Sequence, residues 1–456
     1  MRPTHLAPLA FVLAVTAPRA SSAAPSAALA AAVADCRHLD ADAPADKQRR
    51  FAAATKALVA AREDGVRAVE AELAKLRAAK ETDVLFQSVA AEVILAVREA
   101  NGFAAALEAV QGLDARKDLR HLWPTLTVAA ASREPRALPL LRVALATDEE
   151  SAPVVFPQHG IEVPWPYTLD FLYGAFGQGA CNDLVELAGR PPTPREDASV
   201  AFLLAQLDCP GAAAALRPWV AGKDARRTAE ALRALGRIGE PASAELFLAC
   251  AARPELEVRR ACAYGLWELS VPATAPAIRK LLDDADDAVR MEAISAAFHL
   301  ADEEGMAAVV RRRRVAKGEE AERIDQFVGQ LAEEVGVEAP ALAGEDRAAW
   351  RAALAAYWAR RDHFFDRQAG DLSLSRSELQ ERLARWAKEG RVDRPGPGEL
   401  RAVLAVARSE DLPAIHRARG RVLLRQSDEC VDEARWLERI ARVVHRRAAG
   451  HPKPNE

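Results

Sequence analysis

Three stretches decide the fold: RTAEALRALGRIGEP at 227–241, VRRACAYGLWELSVP at 258–272 and VRMEAISAAFHLADE at 289–303. Each begins 31 residues after the one before it, and the same offset extends backwards. Gly179, Pro210, Pro241, Pro272 and Glu303 form one column, and Leu169, Val200, Ala231, Cys262 and Ala293 form a second. Tyr173, Leu204, Leu235, Leu266 and Ala297 form a third, and Phe176, Leu207, Ile238, Leu269 and Leu300 a fourth. Beyond the turn, Val185, Leu216, Phe247, Ile278 and Val309 stay in register as well. A fixed period of this size is the signature of a repeat architecture.

The apolar columns before the turn are four and then three residues apart, which places them on one helical face. The column after the turn begins a second helix. Pro241 and Pro272 suit the first turn of that helix, where the missing N–H is not needed. Short polar loops follow, AGKD at 221–224 and DDADD at 283–287. In the second of these, Asp286 or Asp287 is placed to cap the next helix. One such hairpin cannot bury its apolar face alone, so stacked copies must close the core. The expected fold is all-α, an α-solenoid.

The segments 227–239, 258–266 and 287–297 resemble the short HEAT-like repeats of the phycobilin-lyase type. The resemblance is strong over about 224–310, good back to about 165, and faint elsewhere. It implies a structural unit and no particular reaction.

Composition agrees with helices. Of 456 residues, 50% are hydrophobic but only 5% aromatic, so the apolar half is mostly alanine and leucine, good helix formers. With 62 Lys+Arg against 66 Asp+Glu, the net charge of −4 gives no global attraction to nucleic acid or anionic lipid. At the N-terminus, Arg2, the apolar run LAPLAFVLAVTA at 6–17 and the small residues Ser21, Ser22 and Ala23 read as a secretory signal, cut after Ala23. The expected mature protein is exported, periplasmic or secreted, with no membrane span. Six cysteines without a C-x-x-C pair exclude a disulfide-framework fold and a metal ribbon. Cys250 and Cys262 fall near a helix end and inside the next helix, where a bridge and buried free thiols are both open.

The expected organisation is a signal at 1–23, diverged helical repeats at 24–158, HEAT-like repeats at 159–316, and a C-terminal helical module or cap at 317–456. The stretch 147–166 breaks the pattern with Pro153, Pro157, Pro164 and Pro166, and reads as a long apolar loop carrying His159 and Trp165. Further on, Trp350, Leu354, Tyr357 and Trp358 share a helical face suited to packing. Ser375 with Glu378 is a capping box opening another helix.

Signatures of chemistry are sparse. No Gly-x-Ser-x-Gly elbow, phosphate-cradling loop or dinucleotide turn occurs. Some HEAT-repeat hydroxylases hold a di-iron centre on His-Glu pairs, but none of the nine histidines here is followed by glutamate, so no catalytic residue carries over. One local cluster, Asp362, His363 and Asp366, has cation-ligand spacing that an amphipathic helix end explains equally well. The basic runs at 311–314 and 442–447 read as solvated helix ends.

The sequence therefore points to an exported, non-catalytic protein-interaction scaffold or adaptor without cofactor or metal, bound to a protein partner and not to nucleic acid. The second helices of the repeats are the expected binding surface, with Arg217, Glu245, Arg279, Lys280 and Arg311 as candidate exposed positions. A metal-dependent or lyase-like HEAT-repeat enzyme and a nucleic-acid-binding HEAT-repeat protein are the alternatives. Neither partner identity nor oligomeric state is encoded in a recognisable motif.

Overall fold

A computed structural model describes residues 26–37, 45–113, 115–146, 154–156, 161–163, 167–191, 196–269, 271–300, 303–335, 348–350, 352–353, 374–392, 397–423, 425 and 428–448. The expected signal at 1–23 lies outside them. The chain forms two compact units, one of residues 1–180 with 423–429, the other of 181–422 with 430–456.

In the first unit, helices α1 (Ala27–Asp35), α2 (Ala45–Ala60), α3 (Glu63–Ala79), α4 (Val84–Arg98), α5 (Phe103–Ala109), α6 (Ala115–Ser132), α7 (Leu138–Leu141) and α8 (Tyr167–Phe176) follow one another. Helix α4 is the centre, packed by α2, α3, α5 and α6. Its sequence is apolar nearly all round, and Phe86, Val89, Ala90, Val93 and Ile94 are buried, as a core helix requires. Asp83 caps it by accepting from the Phe86 amide at 3.1 Å. At its other end Arg98 clamps Glu63 and Glu70 of α3. Gly65 lets α3 turn tightly against α2, since a Cβ there would meet the Leu58 carbonyl oxygen.

Within 147–166, the expected loop contains a two-stranded antiparallel hairpin, β1 (Val154–Phe156) and β2 (Ile161–Val163), with Val154 opposite Val163. Short runs of β-branched and aromatic residues held between prolines favour extended pairing over helix. His159 and Trp165 lie outside the described residues.

The second unit opens with α9 (Cys181–Ala188) and continues through α10 (Asp197–Gln206), α11 (Ala212–Ala221), α12 (Ala225–Ile238), α13 (Ala244–Cys250), α14 (Leu256–Leu269), α15 (Ala275–Leu281), α16 (Asp287–Leu300), α17 (Glu303–Arg313) and α18 (Gly318–Val335). Even-numbered helices from α10 to α16 are the first members of the 31-residue copies and pack in series; α11, α13, α15 and α17 are the second members. Pro241 and Pro272 each open a short 3-10 turn leading into the second helix. Asp224 and Asp286 cap α12 and α16 through the Arg227 and Val289 amides, both at 3.1 Å, which assigns the cap to Asp286.

Small residues set the closest approach. Gly236 on α12 faces Gly265 on α14, and a Cβ on Gly236 would lie 2.5 Å from the Gly265 backbone. Gly265 shares its repeat position with Ala234 and Ala296. Each copy is also tied to its loop at one repeat position. Arg259 donates to the carbonyls of Arg253 and Pro254, and Arg290, one copy on, to those of Asp284 and Ala285. The same guanidiniums hold Asp284 and Glu320 respectively. At the equivalent position of the preceding copy, Thr228 donates to the Trp219 carbonyl at 2.9 Å.

Two disulfides staple neighbouring copies. Cys250–Cys262 joins α13 to α14, and Cys181–Cys209 joins α9 to the turn after α10. Both link the second helix of one copy to the first-helix segment of the next. Cys36 and Cys430 are buried and belong to neither bridge.

The C-terminal helices are α19 (Arg376–Glu389), α20 (Pro397–Val406), α21 (Leu412–Leu423) and α22 (Asp428–Ala448). Ser375 and Glu378 form the capping box the sequence predicts. Buried Leu383, Trp386, Val403, Ile415, Leu437 and Ile440 supply apolar core, and Trp386 meets Trp436 edge-on at 5.5 Å. Trp350 is also fully buried, in agreement with a packing role.

Candidate functional site

The second helices of the array are in contact side by side, α13 with α15 and α15 with α17. Their outward positions keep the repeat register. Arg217, Leu248 and Arg279 occupy one column, 31 residues apart, and Lys280 and Arg311 occupy the adjacent one. Glu245 precedes Leu248 by three residues on α13 and is exposed, as are Lys280 and Arg311. Arg217 is paired with Glu240 at 2.9 Å and Arg279 with Glu304 at 3.5 Å, both half-exposed. The five positions chosen from the sequence thus lie on second helices. Where the chain leaves α13 and α15, an open polar recess of 330 Å³ is lined by Arg253, Arg259, Lys280, Asp283 and Asp284 among others.

Opposite chemistry governs the ends of the first helices. Gln206, Arg237 and Glu268 are again spaced by 31, at the C-terminal ends of α10, α12 and α14. Here the chain's own C-terminal helices have docked. On α22, Glu438 and Arg442 stand one turn apart and are bonded to each other at 2.7 Å. Arg442 reaches Glu268 at 3.5 Å, and Arg419 of α21 lies 3.7 Å from Glu438. Burial pushes the Glu438 carboxyl up, but the charges of Arg419, Arg442 and Arg237 and a hydrogen bond with Gln206 outweigh it and hold the group below the usual carboxylate range. A short distance away, buried His416 of α21 places Nε2 3.1 Å from Asp208 Oδ2. Gln206 is only 4% exposed as a result of this seam.

Nothing in the sequence reading anticipated the seam. Its only signal is three polar residues repeated at one position, which a solvated helix end would produce equally well. The Cys181–Cys209 bridge was also illegible, because Cys181 falls at the start of a helix with no equivalent cysteine in the other copies.

Asp362, His363 and Asp366 lie outside the described residues. Among the described residues, no three His, Cys, Asp or Glu side chains gather as metal ligands, and no helix is long and apolar enough to cross a membrane. In the first unit, Glu92 on α4 is pushed up to about 7 by burial alone. Among the described residues its carboxylate makes no ion pair, and the buried Cys36 thiol is near enough to feel its charge.

No protein-family model matches the sequence, and no curated protein matches it. Among solved structures the chain is similar to an engineered protein, at 17% identity over 91% of this chain and 98% of that one, with a TM-score of 0.28. It is similar to yeast importin-beta at 13% identity over 86% of this chain and 57% of that one, TM-score 0.28. A third likeness is to the Pds5–Scc1 complex, at 10% identity over 84% of this chain and 87% of that one, TM-score 0.22. Such TM-scores decide nothing about function, and the fold rests on the repeats themselves. By those repeats the protein is an α-solenoid of HEAT-like helical hairpins.

Proposed function

We propose that this protein is an exported, non-catalytic interaction scaffold that binds a polypeptide partner on the second helices of its array, built from HEAT-like repeats of the phycobilin-lyase type. The observation that carries the reading is the contrast between two sets of repeat positions. The ends of the first helices are closed by α21 and α22 through His416·Asp208 and Arg442·Glu268, whereas the second helices keep Glu245, Leu248, Lys280 and Arg311 at the surface. Surfaces of this kind bind through area and complementarity.

Export is supported by the signal-like sequence at 1–23 and by two disulfides, which persist in oxidising compartments and are rare in the cytosol. The test is chemical crosslinking of the mature chain in the native envelope fraction, followed by capture. A polypeptide retained by the parent chain and lost when the second-helix residues are altered is the expected result. A chain that retains no partner yet turns over a substrate in an activity screen would sink the proposal, as would native protein found in the cytosol with all cysteines reduced.

A further inference from the structure

Copies of a solenoid touch their sequence neighbours, so small rotations at each junction add up along the array. The first helices of the second unit pack in that serial way, α10 on α12 and α12 on α14. Both disulfides obey the same rule, since each ties one copy to the next. The C-terminal helices do not. His416 of α21 meets Asp208 just beyond α10, and Glu438 of α22 accepts from Gln206 of α10 and faces the charge of Arg237 on α12. Arg442, one turn along α22, reaches Glu268 of α14. Three successive copies are thus joined to one pair of helices.

The array residues at this contact depart from the repeat in ways that serve it. At one register position the copies present an amide, a cation and an anion in turn, Gln206, Arg237 and Glu268. Gln206 accepts from Arg237 at 3.0 Å and donates to Glu438, so the junction of α10 with α12 and the contact with α22 share one amide. Asp208 holds a left-handed φ of 48°, where the next copy places Gly239 at 72°. An aspartate there forgoes the ease of glycine and sets a carboxylate beside buried His416.

We propose that α21 and α22 act as a strap that fixes the rotation between the copies α10–α11, α12–α13 and α14–α15, and that freeing the strap makes their second helices compliant in spacing. The link from one set of helices to the other is packing: α11 lies on α12 and α13 on α14, so a first helix that rotates carries a second helix with it. The bearing on a partner rests on the scaffold reading, because a surface of fixed spacing binds without first having to be ordered.

The test is double electron–electron resonance on the oxidised mature chain, with nitroxides on Ala214→Cys in α11 and Lys280→Cys in α15. Both positions are exposed and lie two copies apart, whereas Cys36 and Cys430 are 0% exposed and out of reach of the label. The parent should give one narrow distance distribution. Arg442→Glu should broaden it about twofold or more, since the new carboxylate repels Glu268 and Glu438. Adding Glu268→Arg to that variant should restore the parent width. Arg442→Gln, which removes the charge without adding repulsion, should broaden it less. Arg233→Glu, whose partner Glu230 is on the same helix, should leave it unchanged.

Hydrogen exchange on the same samples reports the strap itself. Fast exchange of 428–448 in Arg442→Glu with the parent width retained overturns the inference. So does continued protection of 428–448 in that variant, because the named contacts would then not be what holds α22. Failure of Glu268→Arg to restore both readouts overturns it as well. No partner enters these measurements, so each such result leaves the scaffold reading standing, while an envelope fraction that yields no partner strikes only that reading.

Discussion

Two glycines in helices of the same array should respond to alanine with opposite signs. In an exposed helix interior, Gly→Ala stabilises by about 1 kcal/mol, because glycine loses more backbone freedom on folding. Gly329 in α18 is half-buried but has room for the methyl, with no heavy atom within 4 Å of the position its Cβ would take. Gly236 has no such room. Its Cβ would lie 2.5 Å from both Cα and O of Gly265, against an ordinary contact of about 3.5 Å or more. The obstacle is backbone, so no rotamer change relieves it, and α12 and α14 must part by about 1 Å along the most intimate helix pair of the array. Overpacking of this kind costs about 3 kcal/mol at the upper end of its range. Subtracting the helix-propensity gain leaves Gly236→Ala about 2 kcal/mol less stable than the parent.

The assay is amide hydrogen exchange with mass spectrometry, backed by thermal melting. Exchange from openings that involve 225–238 and 256–269 should accelerate about 30-fold in Gly236→Ala, the factor that 2 kcal/mol implies. Gly329→Ala should slow exchange within 318–335 and leave α12 unaltered. If Gly236→Ala melts at or above the parent temperature with unchanged protection in α12 and α14, the close approach of these helices is refuted, and with it the packing on which the repeat register depends.

Other perturbations follow from single features. Glu92 is raised to about 7 by burial, so its contribution to stability is full below pH 4.5 and is lost as pH climbs through 7. Glu92→Gln should remove that decline and stabilise the first unit at pH 8 by up to about 3 kcal/mol, measured as the pH dependence of the urea midpoint; an unchanged pH profile would refute it. Reducing the bridges that close segments of 28 and 12 residues should cost about 3.5 and 3 kcal/mol by loop entropy, seen as a lower melting temperature in dithiothreitol. The effect should vanish in a variant with all four cysteines replaced by alanine. Burial pushes the Glu320 carboxyl up, but hydrogen bonds from Arg312 and Arg290 outweigh it and hold the group below its ordinary value. That contribution is present above pH 4.5 and lost as pH falls further, so Glu320→Gln should flatten the acid limb of the melting profile. Arg442→Glu brings a third carboxylate beside Glu268 and Glu438 and should speed exchange in 428–448 about tenfold or more, an effect that Glu268→Arg in the same chain should reverse.

What the sequence disclosed and what it hid have one physical cause. Core columns such as Leu204, Leu235 and Leu266 repeat because each copy must fill the same space between its neighbours, so periodicity alone places helices, turns and buried faces. Proline at 241 and 272 marked the second helices correctly because its geometry is local. The seam and the bridges are not local. Glu268 and Arg442 are 174 residues apart, and only the path of the chain through α19 to α22 brings them together. Cys250 and Cys262 lie 12 residues apart, but their 6.0 Å Cα separation depends on how one copy stacks on the next.

The same reasoning locates function at departures from the repeat. A column that stays constant answers to packing, since every copy faces the same neighbours. A column that changes residue type from copy to copy, while remaining at the surface, answers to something the array does not itself supply. Leu248 between Arg217 and Arg279 is such a departure: in position it is a repeat equivalent, but in chemistry it is a lone apolar group between two guanidiniums. Gln206, Arg237 and Glu268 vary in the same way, and there the external surface is visible, because α22 supplies Glu438 and Arg442 to match them. Variation matched by a docked helix at the first-helix ends is thus the internal precedent for reading the variation across α13, α15 and α17 as complementarity to a second chain.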